Sequence, residues 1–146
     1  MTAMLIHQPS RLVGALYKAH HILDVILHIG AHRTATTSFQ HYMRENSLFF
    51  KRKGIGFWGP ARLRKGMLTG AIPGPLDHAP QKQFIRAQGR VALQLDRSEK
   101  SGLAQLVVSE ENLLGTLRDN LRTGTLYPAA GQRIARFMAV FGTRVR

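Results

Sequence analysis

Residues 30–38 combine glycine, hydroxyl side chains and one cation in a pattern that suits phosphate binding. They follow the apolar run 25–29, and a helical pattern begins at Thr36. A glycine turn between a strand and a helix directs several backbone N–H groups and the positive end of the helix dipole toward one point. Arg33 adds a fixed positive charge, and Thr34, Thr36, Thr37 and Ser38 add short hydroxyl donors. The sequence therefore predicts a site for a phosphorylated, nucleotide-like ligand.

This loop departs from the Walker A pattern, G-x-x-x-x-G-K-[ST], at two positions. Ala35 stands at the second glycine, and Thr36 stands at the lysine. Because that lysine reaches the β- and γ-phosphates of a nucleotide, an ordinary ATP or GTP hydrolase is disfavoured. A nucleotide or nucleoside kinase remains as an alternative, with Glu110 as an acidic magnesium ligand after a later strand.

The same loop resembles the 5′-phosphosulfate loop of bacterial-type sulfotransferases that use PAPS, 3′-phosphoadenosine 5′-phosphosulfate. That loop reads approximately G-x-x-[KR]-[TS]-[GA]-T-T-[ST]-[FL] after a buried strand, and residues 30–39 fit it. Residues 54–57 and 107–112 are similar to the family's second strand and to the end of its next strand. The resemblance implies PAPS as co-substrate, no metal, and a phosphosulfate site formed by Gly30, Ala31, His32, Arg33, Thr34, Ala35, Thr36, Thr37 and Ser38.

The resemblance also implies roles in sulfuryl transfer. Many members have lysine at the position of Arg33; since arginine keeps its proton, Arg33 would act as a fixed charge and a bidentate clamp. Thr36 and Thr37, with the loop amides, would stabilise charge on the leaving phosphate. Glu111, or its neighbour Glu110, is the candidate base for the acceptor hydroxyl or amine. The alternative is that these two acids only favour the start of a helix. The acceptor is expected to be a small molecule or a glycan.

The overall charge limits the partners. The chain has 21 Lys and Arg against 8 Asp and Glu, a formal charge of +13, which attracts polyanions. A basic nucleic-acid-binding domain is a further alternative, but nucleic acid is not the expected partner, because the 8% aromatic residues do not alternate with the basic clusters. The absence of cysteine, of a secretory signal and of a transmembrane segment leads us to expect a cytoplasmic protein.

The order of the apolar patterns predicts an α/β fold, a three-layer P-loop-type parallel sheet with flanking helices. Strands are predicted at 25–29, 55–58 and 105–108, helices at 10–21, 36–53, 83–97 and 128–141, and a surface loop at 59–80. Residues 1–23 form an N-terminal extension or short helix in this interpretation, and residues 24–146 form the N-terminal part of a sulfotransferase-like domain. Because three strands make a small sheet, and because the family's Arg and Ser for the 3′-phosphate would follow Arg146, the domain is expected to be incomplete at its C-terminus.

Several side chains have a predicted environment. The run 25–29 is expected to be buried on both faces of the sheet. Helix 36–53 is expected to bury Phe39, Tyr42, Met43, Phe49 and Phe50, and the last helix Ile134, Phe137, Met138 and Phe141. The histidines lack the spacing of a zinc pair. We expect His28 to be a strand residue bonded to a neighbour and His32 to be a solvent-facing loop residue unless it approaches the phosphosulfate. Trp58 is expected to lie in the core or at the sheet edge, with stacking on adenine as the alternative.

Overall fold

The computed structural model describes residues 22–31, 34–71 and 81–146. Three parallel strands in this part form one sheet in the order β1-β3-β2. The strands are β1 (Asp24–His28), β2 (Ile55–Trp58) and β3 (Gln105–Ser109). His28 on β1 lies opposite Ser109 on β3, so the carboxyl ends of these two strands meet at one edge. The α/β class predicted from the sequence is confirmed.

Six α-helices accompany the sheet within the described residues. They are α1 (Thr36–Glu45), α2 (Ser47–Arg52), α3 (Pro60–Arg62), α4 (Gln81–Lys100), α5 (Leu117–Thr123) and α6 (Ala130–Phe141). Single helical turns of other pitch lie at Leu63–Met67, Glu111–Leu113 and Gly142–Arg144. No helix of this part is long and apolar enough to cross a membrane.

The core lies between one face of the sheet and the helices α4 and α6, which pack against each other. Alternate strand residues enter it because side chains of a strand point to opposite faces. The fully buried core members include Leu23, Val25, Trp58, Ala87, Val91, Leu106, Val108 and Phe137. Burying one such large apolar side chain contributes about 1.5–3 kcal/mol, so this layer holds the strands in place beneath the loops at their ends.

The other face of β1 corrects one prediction. Val25 is buried, but the next residue, Ile26, is 39% exposed. The described residues therefore do not bury β1 on both faces. The prediction of burial on both faces, made from its run of apolar residues, is wrong. Helix α1 covers this face only near the carboxyl end, where the rings of His28 and Phe39 lie 4.3 Å apart between centroids.

The helix predicted at 36–53 is two helices that break at Asn46. The Asn46 side chain donates from Nδ2 to the carbonyl of Tyr42, 2.9 Å away, and its backbone leaves the helical region at φ −99° and ψ 19°. Asparagine favours such breaks because its side chain competes with the helix for backbone partners. Of the residues expected to be buried, Met43 on α1 is buried, while Tyr42 on α1 and Phe49 on α2 are more than half exposed.

The prediction of a surface loop at 59–80 is also wrong for the first half of this range. Pro60 begins α3 directly after the extended Gly59, a position where the fixed φ of proline suits a helix start. Leu63, Leu68 and Ala71 then enter the core. Residues 72–80 lie outside the described part, as does the helix predicted at 10–21.

The C-terminal part holds smaller differences. Helix α4 is longer than predicted, and α5 was missed although Thr116 and Asp119 have the spacing of a helix N-cap. In α6, Phe137 and Phe141 are buried as predicted, whereas Met138 is 45% exposed. Gly142 follows α6 at φ 65°, so it ends the helix as the sequence indicated.

Beyond α6 the chain returns to the sheet. Val145 forms a parallel bridge with Val25, and the backbone N–H of Arg146 donates to the Val25 carbonyl at 3.0 Å. The side chain of Arg146 also donates to Asp24 at 2.9 Å. Strand β1 thus pairs with β3 along one side, and on its other side a single bridge at Val145 covers its start.

Candidate functional site

The loop between β1 and α1 folds back closely on the first residue of the helix. A Cβ atom placed on Gly30 would lie 2.0 Å from Oγ1 and 2.9 Å from Cγ2 of Thr36. Thr36 is only 4% exposed, and its branched side chain has few rotamers available in a helix. Position 30 therefore requires glycine for close approach.

A second feature closes the turn just before the helix. Ala35 has φ 58° and ψ 18°, the left-handed region, which costs a residue with a Cβ atom about 1–2 kcal/mol. Its carbonyl accepts from the N–H of Phe39 at 3.1 Å, while Thr34 donates its hydroxyl to the carbonyl of Ala31 at 2.7 Å. These bonds hold the described ends of the loop together.

The hydroxyls predicted to bind phosphate have different environments. Thr34 is bonded within the loop, and Thr36 is buried. Thr37 and Ser38 are exposed on the first turn of α1, and among the described residues their hydroxyls have no hydrogen-bond partner. Of the four hydroxyls, these two are the most available to an anion. His32 and Arg33 lie outside the described residues, so their roles stay predictions.

Beneath the loop lies a small buried polar network. Ser109, fully buried at the end of β3, receives a hydrogen bond from Nε2 of Gln40 at 3.1 Å. The Ser109 hydroxyl lies 2.9 Å from Nδ1 of His28, and it can donate to that nitrogen when the imidazole is neutral. Burial lowers the pKa of His28 from its usual 6.5, which favours this neutral form. The network ties α1 to β1 and β3, and it confirms that His28 is bonded to a neighbour.

The residue after Ser109 is a buried acid with a cation of its own. Glu110 is 6% exposed and receives two hydrogen bonds from Arg64, from Nη2 at 2.7 Å and from Nε at 3.2 Å. It also accepts from the backbone N–H of Asn112 at 3.1 Å. The hydrogen bond to Glu110 raises the pKa of Arg64. Glu110 is thus fully engaged in holding the turn, which fits poorly with a role as base.

Glu111, the candidate base, is held more loosely. Only its Oε1 atom contacts Arg64, at 3.2 Å, and its side chain is 31% exposed. Within the described part its second carboxylate oxygen has no hydrogen-bond partner. Glu111 therefore keeps one oxygen available to take a proton, at the end of the strand that lies next to β1.

Another buried cation fixes the turn that carries Glu111. Arg133 of α6 donates from Nε to the carbonyl of Leu113 and from Nη2 to the carbonyl of Asn112, both at 2.8 Å. Burial lowers the pKa of the Arg133 guanidinium. Carbonyls at a turn that would otherwise lack partners are satisfied in this way. The acidic turn is consequently anchored to the core helix α6.

Sequence reasoning missed the supporting residues of this region. Ser109 entered only through the resemblance at residues 107–112, and Arg64, Gln40 and Arg133 were assigned no role. The one available clue for Arg133 was a cation on the otherwise apolar face of the last helix. In the described ranges no three His, Asp or Glu side chains are grouped closely enough to hold a metal ion.

Comparison of the chain with protein-family models, with curated proteins and with solved structures gives no match.

Proposed function

We propose that this chain binds the 5′-phosphosulfate of PAPS in the β1–α1 loop and transfers a sulfuryl group to an acceptor hydroxyl or amine. The observation that carries the proposal is the position of an available acid, Glu111, after β3, next to the strand that leads into the loop.

The loop supports the binding half of the proposal. Gly30 allows the loop backbone to approach Thr36 closely, which a residue with a Cβ atom would prevent. The exposed hydroxyls of Thr37 and Ser38 lie on the first turn of the ten-residue helix α1. Backbone N–H groups at such a turn favour a bound anion. Arg33, carried over from the family resemblance, would add the cation that neutralises the leaving phosphate.

The sheet order supports the catalytic half. Ligand crevices of parallel sheets open at the carboxyl ends of the strands, where successive connections leave in opposite directions. The chain leaves β1 toward β2 on one side of the sheet, and after β3 it passes back to Val145 on the far side of β1. The loop at Gly30 and the turn at Glu111 directly follow β1 and β3, the two strands from which the connections diverge.

In the proposed reaction, the protein holds the two substrates in place, accepts a proton and stabilises negative charge. The acceptor oxygen or nitrogen attacks the sulfur, the bond from sulfur to the bridging oxygen breaks, and the electron pair stays on the phosphate. Glu111 takes the acceptor proton. Arg33, Thr37 and the loop amides stabilise the negative charge that grows on the leaving phosphate.

The two alternatives receive less support. A kinase would need Glu110 as a magnesium ligand, but Arg64 holds both of its carboxylate oxygens. A nucleic-acid binder would stack bases on exposed aromatic rings. Trp58 is buried, with the Arg62 guanidinium 4.6 Å from its ring centre, and the exposed rings of Tyr42 and Phe49 both pack edge-on against Phe50.

Calorimetry with adenosine 3′,5′-bisphosphate tests the proposal on the full chain. We expect the parent to bind, and the Arg33→Ala variant to bind at least tenfold more weakly. Arg118→Ala, which removes one exposed cation from α5, is the charge-matched control and should bind like the parent. A parent that does not bind this ligand, or that prefers magnesium ATP, would contradict the proposal.

A further inference from the structure

The strand β2 has a free edge among the described residues. It pairs with β3 on one side, where Gly54 just before it accepts from the N–H groups of Ala104 at 2.8 Å and Gln105 at 3.1 Å. Because successive residues of a strand direct their backbone groups to alternate sides, Ile55 and Phe57 direct theirs away from β3. No other described residue bonds to these groups. A free edge of this kind is a template for pairing with another extended chain.

Two cavities of about 290 Å³ each flank this edge, one on each face of the sheet. They share the strand residues Gly56 and Phe57 and the rim residue Lys51. An added strand would send alternate side chains to the two faces, and therefore alternately into the two cavities.

The cavity on the α1 and α2 side is mainly apolar. Its lining includes Met43, Phe50, Ile55 and Phe57. Side chains with open apolar surface of this kind gain about 25 cal/mol per Å² when a partner covers them. An aliphatic side chain is the matching occupant.

The cavity on the α4 side is basic. Lys51, Arg62 and Arg97 line it, together with Gln94 and Ser101. Arg62 donates to Gln94 at 3.0 Å and lies against Trp58, while Lys51 and Arg97 form no ion pair with any described residue. Because Lys51 and Arg97 lie beside a free strand edge and have no acidic partner among the described residues, the acidic side chains of a bound partner would complement their charge.

We propose that β2 docks an extended acidic peptide by strand addition, with aliphatic side chains in the cavity beside α2 and Glu or Asp side chains in the cavity beside α4. Main-chain hydrogen bonds to Ile55 and Phe57 hold the peptide, and the two cavities select its alternating pattern. This site does not depend on phosphosulfate binding. The apolar cavity and the covered Trp58 favour a peptide over a nucleic acid or a polysaccharide.

The test measures anisotropy of a labelled seven-residue peptide that alternates leucine and glutamate, capped at both ends. We expect the parent chain to bind it, and a block peptide with the same composition to bind at least tenfold more weakly. Methylation of alternate backbone nitrogens, those that face the β2 edge, should abolish binding, because it removes the main-chain donors.

A pair of charge-matched double variants locates the site. Lys51→Glu with Arg97→Glu should weaken binding at least tenfold, whereas Lys82→Glu with Arg86→Glu, at the other end of α4, should change it less than twofold. Both variants should still melt cooperatively, and peptide should slow amide exchange at Ile55 and Phe57.

Other outcomes overturn the proposal. Equal weakening by both double variants would mean that net charge alone attracts the peptide. Unchanged binding of the methylated peptide would exclude strand addition. Selective loss of heparin or single-stranded RNA binding in the Lys51 and Arg97 variant, with no peptide binding by the parent, would assign the basic cavity to a polyanion. Adenosine bisphosphate binding, measured in the same variants, reports separately on the β1–α1 loop.

Discussion

The Thr36 side chain occupies the space that a Cβ atom on residue 30 would need. We therefore expect Gly30→Ala to lower the free energy of unfolding by about 1–3 kcal/mol, the usual result of overpacking a buried site, and to weaken adenosine bisphosphate binding. Denaturant unfolding and calorimetry measure the two effects.

A double variant checks that the clash is the cause. Thr36→Ala removes Oγ1 and Cγ2, so Gly30→Ala should cost less in that background than in the parent. If the two substitutions are additive, the close approach of these two residues is not what limits position 30.

Thr37 is the clearest test of a hydroxyl donor. Because its side chain is exposed and makes no bond to a described residue, Thr37→Val should leave the melting temperature nearly unchanged and weaken adenosine bisphosphate binding by about 1–3 kcal/mol. Thr36→Val, at the buried neighbour, should in contrast lower stability as well. Parent-like affinity in the Thr37 variant would mean that backbone amides alone bind the phosphate.

Substitutions of Glu111 and of Glu110 should have different effects on the rate of sulfuryl transfer and on stability. Glu111→Gln should lower sulfuryl transfer from radiolabelled PAPS by about 10²–10⁴-fold, because the acceptor loses its base, while adenosine bisphosphate binds as before. Glu110→Gln should mainly lower stability, because Arg64 and the Asn112 N–H lose a charged partner. Transfer that is undiminished in the Glu111 variant would remove it from the mechanism.

His28 gives a pH dependence with a defined sign. Its folded-state pKa is below the unfolded value of about 6.5, so the unfolded chain binds more protons below that pH. Stability should therefore fall as the pH drops from 7.5 to 5.5, and His28→Gln should show a smaller fall in denaturant titrations. His41→Gln, an exposed histidine on α1, is the control and should keep the parent's fall. An identical pH dependence in all three chains would show that folding does not lower the pKa of His28.

The sequence predicted the parts of the fold that depend on local pattern. All three strands and the end of α2 before Gly54 follow from apolar periodicity and glycine placement, and the structure confirms them. Periodicity could not foresee the break at Asn46, because a single side-chain bond to Tyr42 decides it. It also failed for Leu63 and Leu68, which are buried by tertiary packing after a proline that looked like loop sequence.

For the candidate site, the sequence predicted the loop but not its supports. The turn at Gly30 and the acid at Glu111 are each indicated by a short run of neighbouring residues. The partners of the acids and of Ser109 come from positions far away, such as Arg64 and Gln40, and only the folded sheet brings them together. Long-range polar pairs of this type leave no local pattern to read.

The bridge between Val25 and Val145 has a consequence for how the protein opens. Each backbone amide of β1 faces one side only, so the amides bonded to β3 become accessible to solvent when these two strands separate, while the bridge at Val25 holds the start of β1 on its other side. Such amides exchange only through large unfolding events, whereas a surface helix such as α5, with Leu121 85% exposed, opens on its own. The strand that leads into the β1–α1 loop should thus be among the last to exchange its hydrogens, so that the base of the candidate site stays fixed while peripheral segments fray.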